Sequence, residues 1–484
     1  MSRRITVRNI IASLALQIFT LINGLIVPKL ILSFFGSDVN GLVSSITQFL
    51  NYITLLEGGI GAVVMAALYK PLAENDSEKV GAVIRAAKNF FKSIALIYVV
   101  YAVFLAIIGP LVIWKSFEWK YVALLVVVIA INSFVQYYFS ICYKILLNAD
   151  RKGYVVYLTQ IVFLIVNLLL AIIVIRMYPS IHILKLANAI AFCIQPLVFS
   201  IFVKKHYRID EKCEPDKAAL SQRWDGFGQN IAYVVHMNTD VTVLTLLSSL
   251  SNVSIYSVYN LVAVGLKNIV VAVSSAILPS LGRVLVKEDI DETNKAFDTY
   301  ELVIGLVTTF LYSCGAMLIN KFVSIYTMNI TDANYSQPVF GLLLIIAMAF
   351  GSIREPYINV ANAAGHFRRI AKYAYIEAII NIAVSVVLVW KLGLIGVAIG
   401  TLIASMYRYI AQILYLRNNV LNRPIIKSIK SCCCCILTFS VNYYLLSLLF
   451  EKMQPQTYGA WFIEAILTAI AVGLVTLVVS MLFH

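Results

Sequence analysis

Charged residues are scarce in this 484-residue chain, and the motifs that mark soluble enzymes are missing from it. Only 13% of the residues are charged, whereas 61% are apolar; typical globular domains have about 25% and about 45–50%. The sequence contains no GxxxxGK[ST] phosphate loop and no HExxH motif, which mark nucleotide motors and zinc hydrolases. These absences exclude an ordinary soluble domain, and we predict neither enzymatic activity nor a cofactor.

Cysteine spacing gives no sign of a disulfide framework or a metal site. Eight cysteines are present, and the run from Cys432 to Cys435 is consecutive. Consecutive side chains point to all sides of a helix, so this run cannot converge on one ion. We interpret these cysteines as small apolar helix residues, and we predict no metal site.

Long apolar runs are abundant. A helix needs about 20 apolar residues to cross the hydrocarbon core, and the sequence has about 14 such runs. We place the spans near residues 9–35, 41–69, 90–114, 119–146, 155–176, 186–204, 227–249, 255–282, 299–321, 338–361, 370–390, 393–416, 428–450 and 459–482. These runs predict an all-α integral membrane protein. The loop at 70–89 carries an apolar stripe, Val80, Val83, Ile84 and Ala87, and we expect it to form an amphipathic helix on the membrane surface.

Lysine and arginine are distributed unevenly about these spans. Most of the 38 basic residues lie at alternate span ends, which the positive-inside rule assigns to the cytoplasm together with both termini. The opening MSRRITVRN is accordingly interpreted as a cytoplasmic flank rather than a signal peptide. The net charge of +14 comes largely from these loops. We therefore expect contact with anionic membrane lipids and not with nucleic acid.

Two halves of the chain carry matching residues at a nearly constant offset. At a shift of 214 residues, Tyr143, Asn148, Ala149 and Asn167 fall on Tyr357, Asn362, Ala363 and Asn381. The match predicts two pseudo-symmetric six-helix lobes in parallel orientation around a central cleft, with two further helices at the C-terminus. The predicted boundaries are 1–220, 221–423 and 424–484.

Several short segments resemble those of a known transporter superfamily. They are the stretch Leu68–Lys79 (LYKPLAENDSEK), the run Gly58-Gly59-Ile60-Gly61, the turn Asn148-Ala149-Asp150-Arg151, and the segment from Ser254 to Asn260 after the Asp240 span. Together with the count of spans, they resemble polysaccharide-biosynthesis members of the multidrug/oligosaccharidyl-lipid/polysaccharide exporter superfamily. The resemblance covers essentially the whole chain, and LYKPLAEND is its most specific part.

The resemblance implies a flippase of the bacterial inner membrane. Its cargo would be undecaprenyl-pyrophosphate-linked oligosaccharide, the repeat unit of O-antigen, capsule or exopolysaccharide, moved from the cytoplasmic to the periplasmic leaflet. It also implies alternating access driven by a cation or proton gradient, with polysaccharide polymerase and export machinery as partners.

Three other functions are left open by the sequence. A flippase for the peptidoglycan precursor lipid II and a cation-coupled multidrug exporter would share the fold. A polymerase or ligase acting on the same lipid carrier is the enzymatic alternative, but we would expect such an enzyme to have a large outer loop. The largest outer loop predicted here is only 322–337.

Basic residues inside the spans are candidates for binding an anionic cargo. A charge at bilayer depth is costly unless it faces a wet cavity or a counter-charge. Lys267 lies near the middle of its span, Arg354 precedes Glu355 and Pro356, and Lys29 follows Pro28. We predict that Lys267, Arg354 and Lys29 contact the pyrophosphate, and the alternative for each is a structural role. Two further basic residues lie closer to the cytoplasm, where we expect contact with headgroups: Lys144 and Arg408.

Acidic residues inside the spans are candidates for coupling to an ion gradient. Glu57 lies in the second span beside Gly58, and Asp240 lies in the seventh span. His236 precedes Asp240 by one helical turn and shares its face. A carboxyl group that alternates between apolar and cationic surroundings can bind and release protons. We predict proton or ion coupling at Asp240, Glu57 and His236, with a structural counter-ion for Lys267 as the alternative role of Asp240.

Overall fold

The computed structural model describes residues 2–207, 213–216, 227–285, 290–450 and 453–483, and these residues contain helices, turns and loops but no β-strand. The predicted all-α class is therefore confirmed. The chain divides into two compact units, Met1–Val234 and Val235–His484. The finer division at 1–220, 221–423 and 424–484 stays a prediction.

The first unit contains eight α-helices in its described part. In chain order they are α1 Ser2–Asn51, α2 Ile60–Ala73, α3 Ser77–Val112, α4 Trp119–Val135, α5 Ile141–Ala149, α6 Gly153–Met177, α7 Ile181–Phe192 and α8 Ile194–His206. A π-helical segment, Gln136–Ser140, joins α4 to α5. The repeat-bearing residues Tyr143 and Asn167 lie on α5 and α6.

The second unit begins within α9, which crosses the boundary between the units. The helices from that point onward are α9 Phe227–Leu247, α10 Leu250–Leu285, α11 Ile290–Tyr326, α12 Pro338–Ile353, α13 Glu355–Ala363, α14 Phe367–Leu392, α15 Leu394–Leu416, α16 Ile425–Phe450 and α17 Tyr458–Phe483. The break between α12 and α13 falls at Arg354, just before Pro356. Proline cannot donate the backbone hydrogen bond that a continuous helix requires.

Membrane-spanning capacity follows from helix length and composition. Twelve helical stretches of the described chain are long and apolar enough to cross a bilayer. The first of them, Val7–Glu57, has 51 residues and covers the first predicted span and most of the second, whose remainder lies in α2. Its helix departs from helical geometry at Gly36 (φ 81°, ψ 176°), a conformation that glycine adopts at little cost. The break coincides with the predicted end of the first span at residue 35.

The segment 70–89 differs from its predicted form. Instead of a separate surface helix, residues from Ser77 onward belong to α3, which continues without a break to Val112. All four residues of the predicted stripe, Val80, Val83, Ile84 and Ala87, are buried. The periodicity therefore identified the helix correctly, but its apolar face packs against the protein.

The last two helices are attached to α11 by ion pairs at two levels. Near the start of α11, Arg423 Nη2 lies 2.6 Å from Glu301 Oε2, and Lys427 Nζ lies 2.8 Å from Asp298 Oδ2. Near its end, Lys321 pairs with Glu464 of α17. About 20 residues separate the two levels, which corresponds to about 30 Å of helix.

Candidate functional site

Asp240 is buried on α9 among hydrogen-bond donors from three other helices. Tyr256 of α10 donates to Oδ2 over 2.9 Å, and Asn381 Nδ2 of α14 donates to Oδ1 over 3.1 Å. The hydroxyl of Thr401 on α15 lies 3.0 Å from Oδ1 and 2.9 Å from Oδ2. The surroundings of this carboxylate are thus built mainly from neutral polar groups.

Further oxygen atoms lie next to the Asp240 carboxylate. Ser385 Oγ donates to Asn381 Oδ1 over 2.9 Å, and Thr401 Oγ1 lies 3.1 Å from the carbonyl oxygen of Val397. Carboxylate, hydroxyl, amide and backbone oxygens are the ligands that hard cations prefer. The described residues contain no group of three or more His, Cys, Asp or Glu side chains placed to hold a metal ion. The described partners of this single carboxylate are neutral groups, a setting that suits a proton or a monovalent cation.

The first unit has a related pair at the corresponding position of the repeat. Asn167 of α6 donates to Asn23 Oδ1 of α1 over 3.0 Å, as Asn381 of α14 donates to Asp240 of α9. Asn167 and Asn381 are the asparagines that the sequence repeat aligns. The partner is an amide in the first unit and a carboxylate in the second, so only the second unit carries a formal charge there.

Arg354 belongs to a buried group of three charged side chains. Its Nη1 donates to Glu377 Oε1, and Arg408 Nη1 donates to Glu377 Oε2 over 2.7 Å. Arg354 is 7% exposed and Glu377 is 1% exposed. The Nε atoms of both arginines have no hydrogen-bond partner among the described residues. Arg408 is therefore an interior residue, and our prediction that it contacts headgroups is wrong.

Lys267 lies within electrostatic range of this group. The charges that act on it are those of Arg354, Glu355 and Glu377, and Glu355 also acts on Arg408. Among the described residues, three cations therefore lie near two carboxylates, an excess of one positive charge. The structure brings the predicted residues Lys267 and Arg354 into one cluster of the second unit.

The Asp240 site and the charged cluster share the interface of α14 and α15. Glu377 and Asn381 lie one turn apart on α14, and Thr401 and Arg408 lie two turns apart on α15. A Cβ at Gly400 would stand 2.1 Å from Ser385 Oγ. Glycine thus permits the close helix approach that brings these side chains together.

The predicted residues of the first unit occupy different surroundings. Glu57 ends a short 3-10 helix beside Gly58, whose φ is 55°, and it accepts a hydrogen bond from Tyr137. Lys29 lies half-buried on α1, seven residues before the Gly36 break. Lys144, predicted to contact headgroups, lies 5.9 Å from the ring centroids of Phe192 and Phe199. His236 is on α9, but its side chain lies outside the described residues.

Sequence reasoning did not identify Glu377 or Thr401. Glu377 is a lone acidic residue in a predicted span, and its partners are 23 and 31 positions away. The sequence did contain one indication of Glu377: it lies one turn before Asn381 on the same helix face, and Asn381 belongs to the sequence repeat. Thr401 follows Gly400 in the GVAIG segment, whose glycine spacing is typical of close helix contacts.

Several solved structures that share this fold are membrane transporters. The lipid II flippase MurJ, in an inward closed conformation, aligns with a TM-score of 0.74 at 18% identity over 98% of both chains. An inward-facing multidrug resistance MATE family transporter of the MOP superfamily aligns with a TM-score of 0.64 at 13% identity, over 83% of this chain and 95% of that one. A Vibrio cholerae MATE transporter mutant gives 0.54 at 17% identity, over 86% and 97%.

Sequence comparison adds no family assignment. No protein-family model matches the chain, and no curated protein matches it. At 18% identity or less, the similarity to these structures shows a shared fold. That fold is found here in flippases and transporters rather than in enzymes.

Proposed function

We propose that this protein is a flippase that moves undecaprenyl-pyrophosphate-linked oligosaccharide repeat units of O-antigen or capsule type across the bacterial inner membrane. The observation that carries the proposal is the excess of positive charge formed by Lys267, Arg354 and Arg408 against Glu355 and Glu377. It occurs in a chain that shares its fold with a lipid II flippase over 98% of its length. Both termini would lie in the cytoplasm, and polysaccharide polymerase and export machinery would act on the product.

The proposed cargo explains why Lys267, Arg354 and Arg408 lie in the interior of membrane-spanning helices. A pyrophosphate brings negative charge into a low-dielectric region, where it needs charged hydrogen-bond donors. Lys267 and Arg354 would contact it in the second unit, and Lys29 would do so in the first. The Nε of Arg354 is buried without a hydrogen-bond partner among the described residues, because the described hydrogen bond to Glu377 uses Nη1, and it would contact the cargo only in a conformation that opens this region.

The coupling site in this proposal is Asp240. Its carboxylate and the nearby oxygens of Asn381, Ser385 and Thr401 provide ligands for a monovalent cation or a proton. Glu377 and Asn381 lie one turn apart on α14, so occupancy at Asp240 can influence the charged cluster through the same helix. His236 and Glu57 are further coupling candidates.

Two related functions have specific observations in their favour. The alignment over the full length of the lipid II flippase, including α16 and α17, favours lipid II as cargo. The MATE transporters favour a multidrug exporter, although one of them aligns with only 83% of this chain. The net positive cluster suits an anionic cargo better than a cationic drug, and the LYKPLAEND segment favours the repeat unit over lipid II.

Leaflet transfer in proteoliposomes tests the proposal. The purified protein would be reconstituted with labelled undecaprenyl-pyrophosphate oligosaccharide, with lipid II, or with a cationic dye, under imposed proton or sodium gradients. We expect gradient-stimulated transfer of the oligosaccharide and its loss in Lys267→Gln. Lys115→Gln removes an exposed lysine outside the described helices and should transfer normally. Transfer of lipid II or of the dye alone would replace our proposal by the corresponding alternative.

A further inference from the structure

The segment Ser254–Asn260 near the start of α10 carries two tyrosines with different partners. Tyr256 donates to Asp240 Oδ2 over 2.9 Å, so it belongs to the Asp240 site. Tyr259 is fully buried three residues further along the helix. The sequence resemblance included this whole segment, but the proposed function uses only the first of its two tyrosines.

The hydroxyl of Tyr259 lies among three polar groups. It is 2.7 Å from Asn320 Oδ1 of α11 and 2.9 Å from the backbone carbonyl oxygen of Tyr335. The backbone amide of Gln337 donates to it over 3.0 Å. A tyrosine hydroxyl carries one proton, so it donates to only one of its two acceptors at a time. The contact therefore has two arrangements, with the proton directed to Asn320 or to Tyr335.

The loop between α11 and α12 is attached to α10 at a second point. Ser254 Oγ and Tyr335 Oη share a buried hydrogen bond of 2.8 Å. Because α11 ends at Tyr326 and α12 begins at Pro338, the loop 327–337 lies at the end of the unit where α10 begins. The positive-inside rule places this end on the outer side of the membrane.

The Asp240 site lies near the same end of the unit. Asp240 precedes Leu247, the last residue of α9, by seven positions, which is about 10 Å of helix. The next helix, α10, begins at Leu250, and Tyr256 lies less than two turns inside it. The ion site, the two tyrosines and the outer loop are therefore neighbours.

A buried aromatic ring packs against both tyrosines. The ring centroid of Phe340 on α12 lies 6.1 Å from that of Tyr256 and 5.2 Å from that of Tyr259. The space beside Tyr259 is filled, because a Cβ at Gly341 would stand 2.7 Å from its Cε1 atom. Close-packed interiors transmit strain. A displacement of Tyr256 therefore reaches Tyr259 through Phe340 as well as through the backbone of α10.

We propose that Tyr256 and Tyr259 are positioning residues that couple ion occupancy at Asp240 to the attachment of the outer loop 327–337. The inference rests on the coupling role that the proposed function gives to Asp240. It adds the structural element that responds to the ion, which is the outer loop of the second unit.

The coupling begins at the carboxylate. Hydrogen bonds to an ionised group are about twice as strong as those between neutral groups, so an ion bound at Asp240 weakens the contact with the Tyr256 hydroxyl. The start of α10 is then held less firmly against α9. The displacement reaches Tyr259, whose hydroxyl turns from Tyr335 to Asn320. The loop thereby loses one of its two attachments to α10 when the ion is bound.

Hydrogen exchange of residues 334–337 tests the coupling in the absence of any cargo. The full chain in detergent would be analysed by mass spectrometry. Tyr259→Phe removes the acceptor of the Gln337 amide and should accelerate exchange about fivefold, the effect of one hydrogen bond. Asp240→Asn weakens the acceptor of Tyr256 and should accelerate exchange in the same segment about threefold, a fraction of that effect.

The path through Tyr256 is tested by a double variant. Tyr256→Phe should accelerate exchange of residues 334–337 as much as Asp240→Asn does. Asp240→Asn/Tyr256→Phe should be no faster than either single variant, because both changes break the same contact. Additive acceleration in the double variant would overturn the path through Tyr256.

The matched control is Tyr312→Phe. Tyr312 is another fully buried tyrosine of the second unit, and its hydroxyl lies 2.8 Å from Ser352 Oγ. Its replacement should leave the exchange of residues 334–337 unchanged. Equal acceleration in this control would overturn the proposal, because it would indicate a general loosening of the unit. Acceleration in Tyr259→Phe alone would also overturn it, since Tyr259 would then anchor the loop without any link to Asp240.

Ion affinity gives a second readout, which a purely structural tyrosine would not change. Coupling between two sites is reciprocal, so weakening the loop attachment must favour the ion-bound state. Tyr259→Phe should therefore bind the coupling ion about threefold more tightly, by the same factor as in the exchange experiment. Equilibrium binding of radioactive sodium and proton release on a pH electrode would measure it, and Tyr312→Phe should bind as the unaltered protein does.

The two readouts separate this inference from the proposed function. Unchanged ion affinity in Tyr259→Phe would overturn the coupling between loop and ion. Absence of ion binding in the unaltered protein would instead overturn the coupling role of Asp240, and the exchange of residues 334–337 in Asp240→Asn would still show whether this carboxylate and the loop are linked.

Discussion

Asn381 donates a hydrogen bond to the Asp240 carboxylate over 3.1 Å, and the repeat-related Asn167 donates to Asn23 over 3.0 Å. The geometry of the two pairs is nearly the same, yet only one of them contains an ionisable group. A duplicated scaffold thus holds an amide pair in one unit and a carboxylate in the other. The difference supports our proposal that ion coupling belongs to the second unit and gives the first prediction.

Asp240→Asn should uncouple transport from the ion gradient without unfolding the protein. The substitution keeps the shape of the side chain and gives the amide pair that the first unit already uses. Because it replaces an acceptor oxygen by an NH2 group facing donors, the free energy of unfolding should fall by about 1–3 kcal/mol, which leaves the protein folded. Stimulation of leaflet transfer by a proton or sodium gradient should be lost, since no carboxylate is left to bind the ion. Transfer would be measured in proteoliposomes with and without the gradient.

The control for this variant is Ser385→Ala, which removes a hydroxyl of the same site but no charge. It should weaken gradient stimulation and leave it detectable. Full gradient dependence in Asp240→Asn would remove Asp240 as the coupling site and direct attention to Glu57 or His236.

Glu377→Gln should destabilise the protein strongly. Glu377 is the shared partner of Arg354 and Arg408 in a buried position, and removing one partner of a buried ion pair typically costs about 3–5 kcal/mol. The thermal unfolding transition in detergent should fall accordingly. An unchanged transition would mean that water or another acidic side chain can replace Glu377.

An apolar replacement of all three charges separates structure from function. The triple variant Arg354→Met/Glu377→Leu/Arg408→Met removes the buried charges together, which is often neutral or stabilising. It should therefore recover the stability lost in Glu377→Gln. If Arg354 also contacts the pyrophosphate, the triple variant will be folded but inactive in leaflet transfer. A fully active triple variant would limit Arg354 to a structural role.

Gly400→Ala should weaken the contact between α14 and α15. The added Cβ would stand 2.1 Å from Ser385 Oγ and 2.9 Å from the Ser385 backbone nitrogen, so the helices must separate or Ser385 must move. Overpacking of this kind costs about 1–3 kcal/mol. Gly351→Ala is the matched control, because nothing lies within 4 Å of its added Cβ. Thermal unfolding of the two variants should differ by several degrees in favour of Gly351→Ala.

Acidification should loosen the first turn of α3. Asp76 caps this helix by accepting from the Lys79 amide over 3.0 Å, and the side-chain hydrogen bond with Lys79 lowers the pKa of Asp76 below its ordinary value. A lowered carboxyl pKa stabilises the fold above the unfolded-state pKa, and the effect is lost as the pH falls through the folded value. Hydrogen exchange of residues 77–82, corrected for intrinsic rates, should therefore accelerate between pH 6 and pH 3.

The variant Asp76→Asn checks the origin of that pH dependence. Asparagine still caps the helix, but it does not titrate. Exchange in the first turn should then lose most of its dependence on pH, whereas an unchanged pH profile would assign the effect to another acidic residue.

The helices were predictable from the sequence because apolar runs long enough to cross a bilayer indicate membrane-spanning helices. The break at Gly36 agrees with the predicted end of the first span at residue 35, whereas the start of α2 after Gly59 interrupts the predicted second span, 41–69. Asp240 and Arg354 stood out for a similar reason, since charge is rare in such runs.

The partners of these residues could not be predicted in the same way. Glu377 joins Arg354 and Arg408 only because α12 to α15 fold back on one another, and nothing in the local pattern of α14 encodes that pairing. The position of Arg408 misled us, because its distance from a span end suggested snorkelling. Whether a charge faces inward depends on its helix face as well as its depth, and the prediction for Arg408 used depth alone.

The ion pairs that tie the last two helices to α11 have a practical consequence. They join the start of the α16 segment and the start of α17 to α11 at two levels about 30 Å apart, and we expect this pair to move together with α11. A fluorophore or a fused reporter domain attached after α17 would therefore follow the motion of α11 itself. A label on the C-terminal helices could therefore report conformational changes during transport without any modification of the cargo site.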